Sequence, residues 1–355
     1  MCTHAGSYRL IYAACFRAEN RKEQMAKTNH FGPLGAAAGA LVAVALLVLM
    51  LVVINPQTAG ASFPGTNGKI AYSAWDGNDF EIFTIPATGG TRAQVTFNTV
   101  PDFEPSYSPD GNRITYSGKG GICAPSNCDD YEIFTIPATG GQRVQITQNV
   151  IDDVDPSYSP DGNRIAYSSG RGIFGGGTSD IFTTPASGNP SAFRTQITFG
   201  PTNEEDPSYS PDGNSIAYQN NDGNDLEIFT IPATGGRSPV QVTNNTRNDV
   251  WPEYRPGSNV IVYSAYDGND LEISSVACFC IPVFGLQIWQ NPVQLTNNTT
   301  GEFHPVYSPD AQQIAFSDYN GNDQEIFRMP ATGGTRTQVT FNTNANDVEP
   351  SWQPR

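Results

Sequence analysis

Short runs of alternating polar and apolar residues recur along most of the chain. One run is Asn-Arg-Ile-Ala-Tyr-Ser at residues 163–168, directly after Pro-Ser-Tyr-Ser-Pro-Asp-Gly. Alternation with a period of two is typical of a half-buried β-strand. In Ser-Pro-Asp-Gly, proline presets φ, aspartate bonds its own backbone and glycine tolerates the closing conformation, so this segment predicts a turn. The whole unit therefore predicts a β-hairpin.

The hairpin unit recurs at regular intervals. Its copies begin at Asp102, Asp153, Glu204, Asp249, Glu302 and Asp347. Two further strands follow in most copies, Glu-Ile-Phe-Thr-Ile-Pro as at residues 132–137 and Gln-Val-Thr as at residues 94–96. Four strands in a unit of about 50 residues predict a propeller blade. One proline opens the first strand of each unit, so the number of these prolines predicts six blades. They are Pro105, Pro156, Pro207, Pro252, Pro305 and Pro350.

The last copy lacks its second half, and residues 68–73, Gly-Lys-Ile-Ala-Tyr-Ser, are a second half without a first. We therefore expect blade one to take its first strand from residues 350–353 and the other three from residues 69–96. This pairing closes the ring and removes an open sheet edge. The predicted fold class is all-β: a six-bladed β-propeller of four-stranded antiparallel blades, closed by the C-terminal strand and preceded by a hydrophobic export leader.

The repeated units, with Asp-Gly-Asn-Asp-Leu-Glu-Ile-Phe-Thr-Ile-Pro-Ala-Thr-Gly-Gly at residues 222–236, resemble the WD-like repeats of TolB-type six-bladed propellers. The resemblance covers residues 63–355 and implies the propeller fold. TolB itself carries an additional α/β domain ahead of its propeller, and residues 1–62 are too few for one. A similar propeller precedes the catalytic domain of prolyl-oligopeptidase-like enzymes, but the sequence has no Gly-x-Ser-x-Gly motif.

Residues 1–61 have the pattern of an export leader, and residues 62–355 form the expected propeller domain. An apolar run at residues 34–54 is long enough to span a bilayer and follows Arg21, Lys22 and Lys27. It is followed by Ala-Gly-Ala at residues 59–61, a small-x-small cleavage pattern. Two alternatives remain, a cleaved signal peptide and a retained anchor. Both place the propeller outside the cytoplasm (periplasmic, secreted or at the cell surface), with membrane contact only through the leader. Residues 1–24 are interpreted as a misassigned start.

The charge of the remaining chain is strongly negative. The leader holds five of the 19 basic and two of the 35 acidic residues, so the rest carries a net charge of −19. Such a chain repels nucleic acid and favours cations or basic partners.

The cysteines after the leader form two pairs. Cys123 and Cys128 bracket a short insertion, and we expect a disulfide between them, the alternative being free thiols. Cys278 and Cys280 stay unassigned, because a bridge across one residue is strained and no further metal ligands lie nearby in the sequence.

Antiparallel order sorts the loops between the two faces of the ring, and one face is strongly acidic. An acid lies three residues before the opening proline of every blade. These acids either cap backbone groups between blades or form a ring of carboxylates at the channel mouth that could bind Ca²⁺. The candidate metal ligands are Asp102, Asp153, Glu204, Asp249, Glu302 and Asp347. The Asp-Gly-Asn-Asp loops are ordinary hairpin turns whose order does not match the calcium-loop signature, so calcium there is the less favoured interpretation.

Departures from the repeat are candidates for function. Trp251 and His304 replace the acid that precedes the proline in the other four blades. Blade five also carries an apolar insertion at residues 276–289, either an exposed partner-binding patch or a covered hairpin.

His304 is the only histidine after the leader, which excludes histidine-based triads and multi-histidine metal sites. We therefore predict an exported, monomeric, non-catalytic scaffold whose acidic face around the channel binds a protein with a basic or cation-bearing surface. The predicted partner-binding residues are Asp102, Asp153, Glu204, Asp249, Trp251, Glu302, His304 and Asp347. The alternative is a carbohydrate-active enzyme, a glycosidase or lyase, that uses carboxylates at the channel mouth.

Overall fold

The computed structural model describes residues 64–119, 130–170, 178–188, 193–281, 286–342 and 345–355. All regular secondary structure in these residues is β-strand. The strands are β1 (Asn67–Trp75), β2 (Phe80–Pro86), β3 (Ala93–Gln94), β4 (Asp102–Tyr107), β5 (Arg113–Gly118), β6 (Glu132–Pro137), β7 (Val144–Gln145), β8 (Asp152–Tyr158), β9 (Arg164–Gly170), β10 (Asp180–Pro185), β11 (Thr195–Gln196), β12 (Glu204–Tyr209), β13 (Ser215–Asn221), β14 (Leu226–Pro232), β15 (Val240–Gln241), β16 (Asp249–Tyr254), β17 (Val260–Tyr266), β18 (Leu271–Ile281), β19 (Leu286–Trp289), β20 (Val293–Gln294), β21 (Phe303–Tyr307), β22 (Gln313–Tyr319), β23 (Gln324–Pro330), β24 (Thr337–Gln338) and β25 (Asp347–Pro354).

These strands form six antiparallel sheets, one for each predicted blade, so the fold class is confirmed. Blade one has the strand order β25-β1-β2-β3, and blades two, three, four and six run from β4, β8, β12 and β21 through the three strands that follow each. Blade five is larger, because β18 extends into a hairpin with β19 while β20 pairs with the first part of β18.

The ring closes where the prediction placed the closure. Strand β25 pairs with β1, with Trp352 opposite Ile70 and Asp347 opposite Ala74. Beyond the strand, the Thr66 backbone N donates to the Arg355 carbonyl at 2.9 Å, and the Arg355 N donates back at 3.1 Å. Blade one therefore has no free inner edge.

The hydrophobic core lies between blades. Tyr72 of blade one packs in one cluster with Ile326 of blade six, whereas Ala71 packs in another cluster with Tyr116 of blade two. The second strand of a blade is thus buried on both faces, and even Ser73 is fully buried. The prediction that this strand is half-buried is wrong, because neighbouring sheets pack face to face and leave neither face of the strand exposed to solvent.

The fourth strand of each blade is shorter than the predicted Gln-Val-Thr. Strand β3 ends at Gln94, because the Thr96 hydroxyl accepts the Ile82 backbone N–H at 2.8 Å in place of a ladder carbonyl. The same contact recurs in every blade. The other pairs are Ile133 and Thr147, Ile181 and Thr198, Ile228 and Thr243, Ile273 and Thr296, and Ile326 and Thr340.

Two of the sequence predictions lie outside the described residues, namely the leader at residues 1–61 and the Cys123–Cys128 disulfide. Cys278 and Cys280, which the sequence left unassigned, are joined by a disulfide within β18. In the part of the chain that the structure describes, no helix has the length and hydrophobicity to cross a membrane.

We predict that Trp352→Ala weakens ring closure strongly. Trp352 is 4% exposed and packs in the core between blades one and six. Truncation of a buried tryptophan costs about 3–5 kcal/mol of the free energy of unfolding, which urea denaturation would measure. The control is Phe97→Ala, since the Phe97 side chain is 74% exposed and its loss should change the free energy of unfolding by about 0.5 kcal/mol or less. Equal effects of the two substitutions would contradict the closure.

Candidate functional site: the central channel

The residue that precedes the opening proline in each blade has an unusual backbone conformation. It has a positive φ, between 50° and 58°, although none of the six is glycine. A left-handed φ is unfavourable for such residues and persists only where the surrounding structure enforces it. At the same place, the register between the first and second strands shifts in every blade. We call these six the channel ring: Glu104, Asp155, Asp206, Trp251, His304 and Glu349.

The channel ring surrounds a central cavity of about 150 Å³. Because the first strand of every blade contributes its ring residue and the following proline, the cavity lies on the axis of the propeller. Each ring side chain is half-buried, so all six remain accessible from the cavity.

A directional chain of hydrogen bonds links four of the ring residues. Glu349 Oε2 accepts the Glu104 backbone N–H at 2.8 Å, and Glu104 Oε2 accepts that of Asp155 at 2.7 Å. Asp155 Oδ2 accepts the Asp206 backbone N–H at 3.4 Å. The Ser117 hydroxyl, from the second strand of blade two, adds a bond of 2.6 Å to Glu104. The carboxylates thereby tie each blade to the next around the channel.

The chain of bonds stops at Asp206. The Trp251 backbone N donates instead to Gln219 Oε1 at 3.1 Å. Neither Trp251 nor His304 has a carboxylate to continue the series. Their rings lie against each other with centroids 4.2 Å apart, and His304 Nδ1 has no hydrogen-bond partner among the described residues. One side of the channel is thus acidic and the other aromatic.

Asp206 differs from the other ring carboxylates. In the described part of the chain, no group donates a hydrogen bond to its side chain, although Asp155, Glu205 and Glu349 all lie near enough to repel it. Burial and this repulsion raise the pKa of Asp206 well above its ordinary value. A half-buried carboxylate with no donor can accept a cation from the channel.

The other ring groups also have shifted pKa values. Burial, followed by the charge of Glu349, raises the pKa of Glu104 to about 7. Burial likewise raises the pKa of Asp155 and that of Glu349. Burial lowers the pKa of His304 to about 3, so this imidazole is neutral at physiological pH.

The structure places the six predicted acids two residues away from the ring, between blades rather than on the channel wall. All six are nearly or fully inaccessible, with exposures of 0 to 3%. These are Asp102, Asp153, Glu204, Asp249, Glu302 and Asp347.

An asparagine links most of these acids to the preceding blade. The Asn149 backbone N donates to Glu132 Oε1 of blade two at 2.5 Å, while its Nδ2 donates to Asp153 Oδ2 of blade three at 2.7 Å. The same arrangement occurs at four other junctions. Its members are Glu81, Asn98 and Asp102; Glu227, Asn245 and Asp249; Glu272, Asn298 and Glu302; and Glu325, Asn342 and Asp347. Among the described residues, the donors to the six acids are side chains, whereas the backbone N–H of the asparagine goes to the glutamate of the preceding blade.

Arginines offset part of this buried charge. Arg92 stacks over the Phe83 ring, 4.4 Å from its centroid, with Nη1 3.8 Å from Asp347 Oδ1. Arg336 makes the equivalent contacts in blade six. At the matching position, blades four and five have Pro239 and Pro292 instead.

Two of the six channel-ring residues, Trp251 and His304, are among the residues predicted from the sequence. The four acids at the same repeat position are not, because the regular six-fold acid two residues earlier is the stronger pattern. These four acids are Glu104, Asp155, Asp206 and Glu349. The available signal was the shared position, which a column-by-column comparison of the six repeats displays.

Comparisons with known proteins agree with this fold. Residues 122–278 match the family described as TolB beta propeller domain. The crystal structure of TolB from Acinetobacter baumannii is similar with a TM-score of 0.62 and 18% identity, over 81% of this chain and 67% of that one. An oligogalacturonate lyase in complex with manganese is similar with a TM-score of 0.52 and 14% identity, over 77% of this chain and 74% of that one. At these identities the likeness concerns the fold alone.

Among curated proteins, the chain is 26% identical over 151 residues to the uncharacterized protein Atu1656 of Agrobacterium fabrum, covering 42% of this chain and 45% of that protein. The match spans less than half of that relative's length. The propeller-family match and the six-bladed fold together confirm the resemblance to TolB-like propellers.

We predict that the free energy of unfolding falls as the pH rises from about 5 to 8. The folded-state pKa is raised to about 7 for Glu104 and Asp249 and to about 8 for Asp102, Glu302 and Asp347. Groups with a raised folded-state pKa stabilise the fold below their unfolded-state pKa and lose that contribution as the pH passes through the folded-state value. His304, with a lowered pKa, acts in the opposite direction below about 6.5, but it is a single group. Thermal melting across this range is the measurement, and a stability that rises towards pH 8 would contradict the assignment.

Proposed function

We propose that the propeller is an exported, non-catalytic binding module whose channel ring binds a cationic side chain or terminal amine of a protein partner. The observation that carries this proposal is Asp206, a channel carboxylate without a hydrogen-bond donor in the described structure. A bound ammonium or guanidinium group would supply both the missing donors and the opposite charge.

The two sides of the channel suit such a group together. The acidic side consists of Glu104, Asp155, Asp206 and Glu349, and the aromatic side consists of Trp251 and His304, whose rings lie against each other. A tryptophan face attracts a cation within about 6 Å, an interaction worth about 0.5–2 kcal/mol. The net charge of −19 outside the leader favours approach of a basic partner as well.

The carbohydrate-active alternative has weaker support. It rests on the raised pKa of Glu104, which suits a general acid, and on the fold likeness to the oligogalacturonate lyase. The cavity of about 150 Å³ is smaller than the range of about 300–1,000 Å³ that is usual for pockets holding drug-sized ligands. It fits a single side chain better than an oligosaccharide, so we propose binding rather than turnover.

The channel proposal is tested with a fluorescent Lys-Lys-Lys peptide and a Glu-Glu-Glu peptide of the same length. We expect the propeller to bind only the basic peptide, and more weakly as the salt concentration rises. Trp251→Ala should weaken binding about 2- to 30-fold, in line with a cation–π contribution of about 0.5–2 kcal/mol. Asp206→Asn should also weaken it, because that change removes the charge and keeps the shape. Fluorescence anisotropy measures both.

Matched controls for these variants lie elsewhere on the chain. Trp75→Ala removes a tryptophan that is 40% exposed on a loop-proximal strand end, and Asp161→Asn removes a turn carboxylate that already has its donors. Wild-type affinity in both channel variants would refute the proposal. Turnover of oligogalacturonate or another glycan that is lost in Glu104→Gln would favour the enzyme instead. The six inter-blade acids are unsuitable for this test, since their substitution alters buried junctions.

Export belongs to the same proposal. We propose that residues 1–61 direct the propeller out of the cytoplasm, where it acts as a monomer. A mass measurement on the purified native protein should give a chain that starts at Ser62 if the leader is cleaved. A mass that still includes residues 34–54 would indicate the anchored form. Recovery of the full chain in the cytoplasm would contradict export.

A further inference from the structure

The loop between β1 and β2 contains a buried carboxylate with no partner. Its sequence is Asp-Gly-Asn-Asp-Phe-Glu at residues 76–81. Asp79 is 6% exposed, and neither of its oxygens has a hydrogen-bond partner among the described residues. An ionised carboxylate buried without donors is strongly disfavoured unless a cation neutralises it.

Two other carboxylates converge on Asp79. Asp76, Asp79 and Glu81 each have an oxygen within 4.8 Å of the others. Asp76 Oδ1 accepts the Asn78 backbone N–H at 2.8 Å, and Glu81 Oε1 accepts that of Asn98 at 2.5 Å. In the described part of the chain, none of the three acids forms a salt bridge with lysine or arginine. The loop thus concentrates three like charges without a counter-charge.

We propose that this loop binds Ca²⁺ through Asp76, Asp79 and Glu81. Calcium takes oxygen ligands at 2.3–2.6 Å in flexible geometry, so two of its ligands can lie up to about 5 Å apart. The oxygens of the three acids fall within that limit. Water completes the shell on the exposed side, where Asp76 lies. The ordinary hairpin turn that the sequence predicts is retained, and the site is built on it.

The same trio occurs at the corresponding loops of blades four and five. Its members there are Asp222, Asp225 and Glu227, and Asp267, Asp270 and Glu272. We extend the proposal to both loops, which gives three equivalent Ca²⁺ sites in the chain.

Blade six provides an internal contrast. Asn320 takes the place of the first aspartate, so one charged ligand is missing. In addition, Asp323 Oδ2 accepts the Ala345 backbone N–H at 3.2 Å. This loop keeps the turn and the buried aspartate but lacks the full set of carboxylates, and it is therefore the matched control.

The experiment titrates CaCl₂ into EDTA-treated, desalted protein by isothermal calorimetry. We expect three bound ions per chain and two in Asp79→Asn. The Asp79→Asn, Asp225→Asn, Asp270→Asn triple variant should bind none. The control Asp323→Asn should still bind three. Because each substitution removes repulsion in the calcium-free protein, the variants should melt in EDTA at or above the wild-type temperature, which shows that they fold.

Terbium luminescence tests the blade-one loop separately. Trp75 directly precedes Asp76, so excitation of tryptophan should sensitise Tb³⁺ bound there. We expect at least a fivefold loss of this signal in Asp79→Asn and none in Asp323→Asn. A calorimetric stoichiometry of zero, or a stoichiometry and a luminescence signal that Asp79→Asn leaves unchanged, would overturn the proposal. Trp251→Ala should retain all three ions, since these loops are separate from the channel ring.

Discussion

The pairing of β25 with β1 is the interaction on which the rest of this structure depends. It joins residues that are more than 270 positions apart, such as Ile70 and Trp352. The pairing places β25, the first strand of blade one, at the axis together with its channel-ring residue Glu349. Without this pairing, blade one would present an unpaired inner edge and the channel would have a gap in its wall.

Once the ring is closed, the blades are held together by polar as well as apolar contacts. Large and small apolar side chains interlock between sheets, and at the junctions an asparagine connects a glutamate of one blade to an acid of the next. Burial of so many carboxyl groups is unfavourable unless they are hydrogen-bonded, protonated or paired with a cation. The stacked arginines, such as Arg92 over Phe83, provide the pairing in part of the ring.

The departures from six-fold symmetry carry the proposed function. A repeat requires only the common residues for folding, and the common solution at the channel is a carboxylate that accepts the next blade's backbone N–H. Trp251 and His304 have no carboxylate for such a bond, and Asp206 is left without this donor because the Trp251 backbone N–H donates to Gln219 instead. The Asp-Gly-Asn-Asp loops of blades one, four and five hold a complete carboxylate trio, whereas in blade six an asparagine replaces the first aspartate and one oxygen of Asp323 accepts a backbone N–H.

The sequence was sufficient to predict the number of blades, their four-stranded composition and the closure of the ring. These features follow from local turn chemistry and from the repeat, because each copy carries the same pattern of strands and turns. It did not determine which acids face the channel. Residues two positions apart in a regular strand share a face, so Asp102 and Glu104 seemed equivalent along the chain. The bulge with positive φ at Glu104 ends that alternation. Only the packing of six sheets around an axis enforces the bulge, and therefore only the tertiary structure separates the buried junction acids from the channel ring.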